Sequence, residues 1–208
     1  MSKVSYKWLE WAKRIQSLSQ SGLSFSNDIY DIERYVELRK ISAEIMEQYT
    51  DLKMEKITEL FTNETGYQTP KVDIRGAVFT DDKILMVRED VDDNWSLPGG
   101  FCDIGLSPSE NIVKEVKEES GYDVSAKKLV ALLDMNKHSH PPQPYHYYKI
   151  FIQCELTGGH AKAGLETKDV RFFSENNLPK LSTGRNTEKQ INLLFDYFRN
   201  PNKVSIFD

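Results

Sequence analysis

Hydrophobic positions near the start of the chain recur at steps of three and four. Trp8, Trp11, Ala12, Ile15 and Leu18 form one such stripe, and Gly22 follows it as a stop signal. Phe25-Ser26-Asn27-Asp28 then offers a fresh cap, and neither Gly nor Pro interrupts the chain from Asp28 to about Thr62. Within that run Tyr35, Leu38, Ser42, Ile45, Tyr49 and Leu52 keep helical spacing, with room for a break near Thr50-Asp51. A pair of helices has too little shared core to bury such stripes alone. They are expected to pack on the rest of the chain or on a second copy, and a homodimer seam is the expectation.

The pattern changes after Asn63–Pro70, a polar, turn-rich stretch that reads as a linker. Val72–Phe79 and Ile84–Arg88 read as strands joined by a hairpin at Thr80-Asp81-Asp82-Lys83. Trp95–Gly100 is a strand end running into Pro-Gly-Gly. Next comes a helix with both ends marked. Ser107, Pro108, Ser109 and Glu110 form a capping box with Pro at the first helical position, and Gly121 suits a left-handed C-terminal residue. At 100° per residue Ile112, Val113 and Val116 share one arc, Lys114 and Lys117 lie opposite, and Glu115, Glu118 and Glu119 fill a third. Strand patterns return over Val124–Asp134, 147–156 and Val170–Phe173, with the glycine-rich turn GGHAKAG between the last two. A final helix carries Ile191, Leu194, Phe195 and Phe198 on one face. Two domains are therefore expected: helices over 1–66, and strands mixed with helices over 67–208.

Composition narrows the classes. The 208 residues are 39% hydrophobic and 11% aromatic, enough for a real core, and the net charge of −5 argues against broad binding to nucleic acid or anionic membrane. No apolar run approaches the ~18 residues of a membrane span. The opening MSKVSYKWLEWAKR has charges where a signal peptide needs an apolar stretch. Cys102 and Cys154 are far apart and lack metal spacing, so free thiols and a cytoplasmic location are expected.

Three carboxylates three and four residues apart repel one another by roughly 0.2–0.5 kcal/mol per exposed pair. A helix tolerates that where it faces solvent. Here, however, the carboxylates follow a glycine loop whose backbone can approach a ligand closely. A hard cation suits that arrangement, since magnesium takes a few carboxylate oxygens and completes its shell with water and phosphate.

Gly100, Glu115, Glu118, Glu119, Gly121 and Tyr122 resemble the Nudix box, G-x5-E-x7-R-E-U-x-E-E-x-G-U with U apolar. The resemblance implies an α/β (α+β) fold, the Nudix α/β/α sandwich around a mixed sheet, and an enzyme that hydrolyses diphosphates. It implies that Glu115, Glu118 and Glu119 carry Mg2+ (or Mn2+) and that the Gly100 carbonyl adds a ligand. The pattern departs at Leu106, where the box has Glu, and at Lys114, where it has Arg; in the family those two residues mostly brace the loop and helix. The helical segment WLEWAKRIQSLSQSGLSFSNDIYDIERYVELRKI is similar to the N-terminal domain of a bacterial Nudix group described as CDP-choline or ADP-ribose pyrophosphatases. CDP-choline giving CMP and phosphocholine is thus the first expectation, and ADP-ribose the second. A catalytically silent ligand sensor and an RNA-processing enzyme are the rivals, the latter needing a basic patch around Lys71, Arg75 and Lys149.

Other residues are candidates by position. Arg75 and Arg88 lie within apolar runs, where a bare charge is costly. Each either lines the cleft and meets phosphate or sits in an ordinary salt bridge. MNKHSHPPQPYHYYK holds three of the four histidines and three of the eight prolines, and reads as a long loop entering a strand near Tyr145. His138 and His140 lack a third zinc ligand at matching spacing. Tyr145 and Tyr147 are candidates for stacking on a base or for holding a choline head group, with a solvated loop as the alternative. Glu166 is the candidate general base that the family resemblance suggests, with Asp169 and Glu175 as rivals in that loop, and a box glutamate not fully engaged by metal, Glu118 or Glu119, as the other catalytic candidate.

Overall fold

The computed structural model describes residues 6–50, 57 and 66–208. The course of the second helical run between Asp51 and Thr62, apart from Ile57, and the start of the expected linker lie outside the described residues. The chain divides into two compact units, Met1–Pro70 with Pro142–Tyr145, and Lys71–Pro141 with His146–Asp208.

In the first unit, α1 (Lys7–Phe25) pairs with α2 (Ile29–Tyr49). Leu9, Ala12, Ala43, Met46 and Ile57 make its small core, with Trp8 stacked on Tyr49 at its edge. Asp28 caps α2 by accepting the backbone N–H groups of Tyr30 and Asp31, as its sequence suggests. One expectation is corrected. Gly22 does not stop α1, which continues to Phe25. Its hydrogen lies where a Cβ would come within 2.3 Å of the Tyr35 ring, so glycine is there for close helix approach. The apolar stripe is divided between two surfaces. Trp8 and Ala12 pack towards α2 with Leu9, while Trp11 is 56% and Leu18 65% exposed.

The second unit begins with β1 (Lys71–Thr80) and β2 (Lys83–Glu89), joined where expected by a turn with Asp81 and Asp82 both at positive φ. β3 (Trp95–Ser96) and β6 (Thr167–Ser174) pair antiparallel with β2. β5 (Tyr147–Gly159) runs parallel to β1, and β4 (Tyr122–Asp134) lies antiparallel to β5. The short β7 (Ile206–Phe207) adds to β4, completing a mixed sheet of seven strands. β5 extends through the first two glycines of GGHAKAG, so the turn starts later than its composition suggests.

Helix α3 (Pro108–Ser120) buries Ile112 and Val116 against Ile74, Val78, Leu85, Val124 and Ile152 on one side of the sheet. Helix α4 (Glu188–Arg199) buries Ile191, Leu194 and Phe195 against Ala77, Met86, Leu133 and Phe151 on another. The alternation of Ile74 and Val78 with Ala77 sends successive β1 side chains to different cores. This is the expected α/β/α sandwich. Among the described residues no helix is long and apolar enough to cross a membrane.

Candidate active site

Helix α3 carries the three glutamates and has the termini its sequence calls for. Ser107 accepts from Glu110 N, and Glu110 Oε2 accepts from Ser107 N at 2.8 Å. Gly121 closes the other end at φ 75°, donating to Lys117 O. With its register fixed by buried Ile112 and Val116, the helix lays Glu115, Glu118 and Glu119 along one edge.

The loop before it runs beside β1 like a further strand. Gly76 N donates to Pro98 O, Ile74 N to Gly100 O, and Cys102 N to Val72 O. Gly99 sits at φ 138°, and a Cβ there would fall 2.0 Å from Ile74 O. The loop thereby presents its backbone to the carboxylates. Gly99 N donates to Glu119 Oε2 at 2.8 Å, and Glu115 Oε2 lies 3.1 Å from where a Gly100 Cβ would stand. The Gly100 carbonyl spends one lone pair on Ile74 and keeps the other.

Burial pushes the Glu119 carboxyl from its usual 4.5 up to about 8, against the opposing pull of Arg75 and Gly99 N–H. Burial also raises Glu115, with Glu118 adding to the rise and Lys114 opposing it. Beneath them Asp73 accepts two bonds from the Arg75 guanidinium, at 3.0 and 2.9 Å, and a third from Lys149 Nζ at 3.0 Å. Arg75 also donates to Leu97 O, the residue whose N–H is held by Asn186 Oδ1. Lys149 is 2% exposed, and burial lowers its pKa to about 8 despite Asp73. Buried Glu89 takes Arg185 at 2.8 Å and the Ser96 hydroxyl.

Among the described residues no three acidic, His or Cys side chains already converge as a metal cage. The donor set nonetheless fits a hard cation. The oxygens are carboxylates, and two of the three resist carrying charge without a cation nearby. A positive group already stands among them: Lys114 Nζ lies 3.0 Å from Glu118 Oε2 and 3.7 Å from Glu115 Oε1.

The other candidates separate. Arg75 is committed to Asp73 and Leu97, so it acts as a buried brace beneath Glu119 rather than an open phosphate clamp. Arg88, next to Glu89 on the strand, turns the other way and pairs with Asp93 in the β2–β3 turn. Glu166 lies in an exposed turn that docks on α3, where Thr167 Oγ1 donates to Glu119 O at 2.9 Å and Gly164 packs against Glu118 O. Asp169 and Glu175 are taken by Arg171 and Arg199. Tyr147 stacks on Phe101, centroids 5.5 Å apart and planes at 28°. Tyr145 belongs to the first unit, where its carbonyl accepts from Lys13 Nζ. Each of the three loop histidines has a partner within the chain. His138 meets Asp208, His146 meets Asp134, and His140 bonds Thr183 O and Gln190, its burial lowering the ring to about 4. The basic patch around Lys71, Arg75 and Lys149 does not form, because Arg75 and Lys149 are buried on Asp73. Asp73, Glu89, Phe101 and Asp103 were not anticipated. Only Asp73 left a signal, two residues from Arg75 on a strand and so on the same face.

Comparison with known proteins agrees with this geometry. Residues 70–195 match the NUDIX domain, and residues 6–61 match a domain described as UDP-X-like, N-terminal oligomerisation. A Bacillus subtilis protein, YjhB, provisionally named an ADP-ribose pyrophosphatase, is 59% identical over the full length of both chains. The crystal structure of a UDP-X diphosphatase is 35% identical, covers 97% of this chain and 98% of its own, and superposes with a TM-score of 0.64. An ADP-ribose pyrophosphatase from Streptococcus suis is 46% identical over 67% of this chain and all of its own, with a TM-score of 0.61. With the box glutamates in register on the capped helix and the glycine loop laid against β1, the chain belongs to the Nudix hydrolase family.

Proposed function

We propose that this Nudix hydrolase is a magnesium-dependent pyrophosphohydrolase of nucleoside diphosphates linked to a sugar, ADP-ribose or a UDP-sugar, ahead of CDP-choline. The observation that carries the chemistry is the single edge of Glu115, Glu118 and Glu119, two of them desolvated, facing backbone of the glycine loop. Nudix hydrolases generally use divalent metal ions. When bound, such ions neutralise the diphosphate and lower the pKa of a bound water. The three glutamates and the Gly100 carbonyl would hold them. Arg75, locked on Asp73, supplies a fixed positive charge below Glu119 and favours its ionised form. We assign Glu166, on the turn docked to α3, as the acceptor of the proton released by the attacking water, on the family resemblance.

The preference between substrates comes from groups outside the box. A choline head group wants aromatic faces around a cation. Here Tyr147 and Phe101 face each other, and Tyr147 shares a strand face with the buried Lys149 ammonium. That setting gains little from a trimethylammonium and suits a flat base stacked on an aromatic ring. Turnover of ADP-ribose, UDP-glucose and CDP-choline with magnesium, with products identified, tests this. Faster release of a nucleoside monophosphate from the first two is expected; CDP-choline as the best substrate would reverse the order. Replacing Tyr147 by Ala should raise KM about tenfold with kcat little changed, because base stacking of ~1–3 kcal/mol is shared by ground and transition states. Equal KM values in the two proteins would remove Tyr147 from the binding site.

The N-terminal unit fits a homodimer. The match to an oligomerisation domain agrees with the exposed Trp11 and Leu18. Trp11→Glu with Leu18→Glu should yield monomers in sedimentation, with the melting temperature of the catalytic unit little changed. An unchanged mass would place the seam elsewhere.

A further inference from the structure

The family box has a Glu–Arg pair where this chain has Leu106 and Lys114, and the structure shows what replaces it. Lys114 Nζ lies 3.0 Å from Asp103 Oδ2 and, on its other side, 3.0 Å from Glu118 Oε2. Asp103 is not free to drift. Its backbone N–H donates to Asn111 Oδ1 at 2.8 Å. Asn111 is fully buried on α3, and its amide also bonds the carbonyls of Leu106 and Ser107, at 3.1 and 3.2 Å. A buried amide on the glutamate helix thus fixes the loop backbone from which the Asp103 carboxylate reaches the lysine.

An ammonium and a divalent cation compete for the same carboxylate oxygens. Lys114 occupies Glu118 and lies near Glu115, so a metal ion arriving there must displace it. Asp103 is off the glutamate edge and offers Lys114 an equally close partner that the metal does not need. We propose, on the metal-ligand reading given above, that Asp103 is a positioning residue that draws Lys114 off Glu118 when a divalent ion binds. Lys114 is then a resident cation that neutralises the glutamates before binding, and Asp103 is its acceptor afterwards. Without Asp103, the remaining carboxylates near Lys114 are the metal ligands themselves.

The test titrates Mn2+ alone into the full chain, following free Mn2+ by electron paramagnetic resonance. Asp103→Asn keeps the backbone bond to Asn111, and should weaken Mn2+ binding about tenfold, the lower end of what losing a supporting group costs. Lys114→Met should bind at least as tightly as the unchanged protein. The double variant should match Lys114→Met, because with no ammonium to hold, Asp103 has no further effect. Asp103→Asn binding as tightly as the unchanged protein would overturn the proposal. So would a double variant as weak as Asp103→Asn, since that result marks a damaged loop. Glu118→Gln separates the two levels. If it binds Mn2+ undiminished, the metal-ligand reading itself fails; if it binds weakly while Asp103→Asn does not, only the role of Asp103 is lost.

Discussion

Glu119→Gln should lower turnover roughly 10³-fold or more while making the metal-free protein more stable. The two effects have one cause. Glu119 is desolvated, so its charge is useful to a metal ion and unfavourable without one. Its native pKa of about 8 lies above the ordinary 4.5, so the folded state binds this proton more tightly than the unfolded state does. Stability from this group is fully present below about 4.5 and is lost as pH rises through about 8. Gln cannot ionise, and Gly99 N–H can still donate to its amide oxygen. Thermal melts in chelator at pH 5 and pH 9 should show a fall in the parent that the variant lacks, and magnesium should restore the parent at pH 9. Near-parental turnover in Glu119→Gln would defeat the metal assignment. A fall with pH as large in the variant as in the parent would assign the titration to another group.

The second large effect is on the fold. Asp73→Asn should destabilise by about 3–5 kcal/mol, because it leaves the buried Arg75 and Lys149 charges without their shared partner. For a chain of this size that corresponds to a melting temperature lower by about 10 °C. Lys149→Met should cost less, since Asp73 keeps both bonds to Arg75. Differential scanning calorimetry ranks the two. A Lys149→Met variant as unstable as Asp73→Asn would mean that lost packing, rather than the stranded charges, sets the cost.

The parts of this site legible in the sequence were the local ones. The capping box, Gly121 and the glutamate edge all lie within one helix, where side chains three and four apart are neighbours by geometry alone. The hairpin at Asp81-Asp82 was legible for the same reason. The sequence groups Arg75 with Lys149 only as a basic patch and leaves out Asp73 between them, because β1 and β5 meet across the sheet and nothing in the spacing of residues 73 and 149 announces their register. Gly22 misled because glycine serves both a helix end and a close crossing, and only Tyr35 distinguishes them. The histidines misled because a polar loop reads as open, whereas Thr183, Gln190, Asp134 and Asp208 close it. Trp11 and Leu18 were rightly counted as apolar stripe residues, yet amphipathicity does not say which surface the stripe meets.

The parallel pairing of β1 with β5 also bears on when the enzyme acquires its activity. The Asp73–Lys149 contact spans 76 residues, so closing it carries a loop-entropy cost that the capped glutamate helix never meets. During synthesis that helix is complete while β5 has yet to be made, and its glutamates exist before there is a floor beneath them. Nascent chains therefore carry the hydrolytic motif without the cleft, and competence arrives late, once β5 has joined β1 to β4.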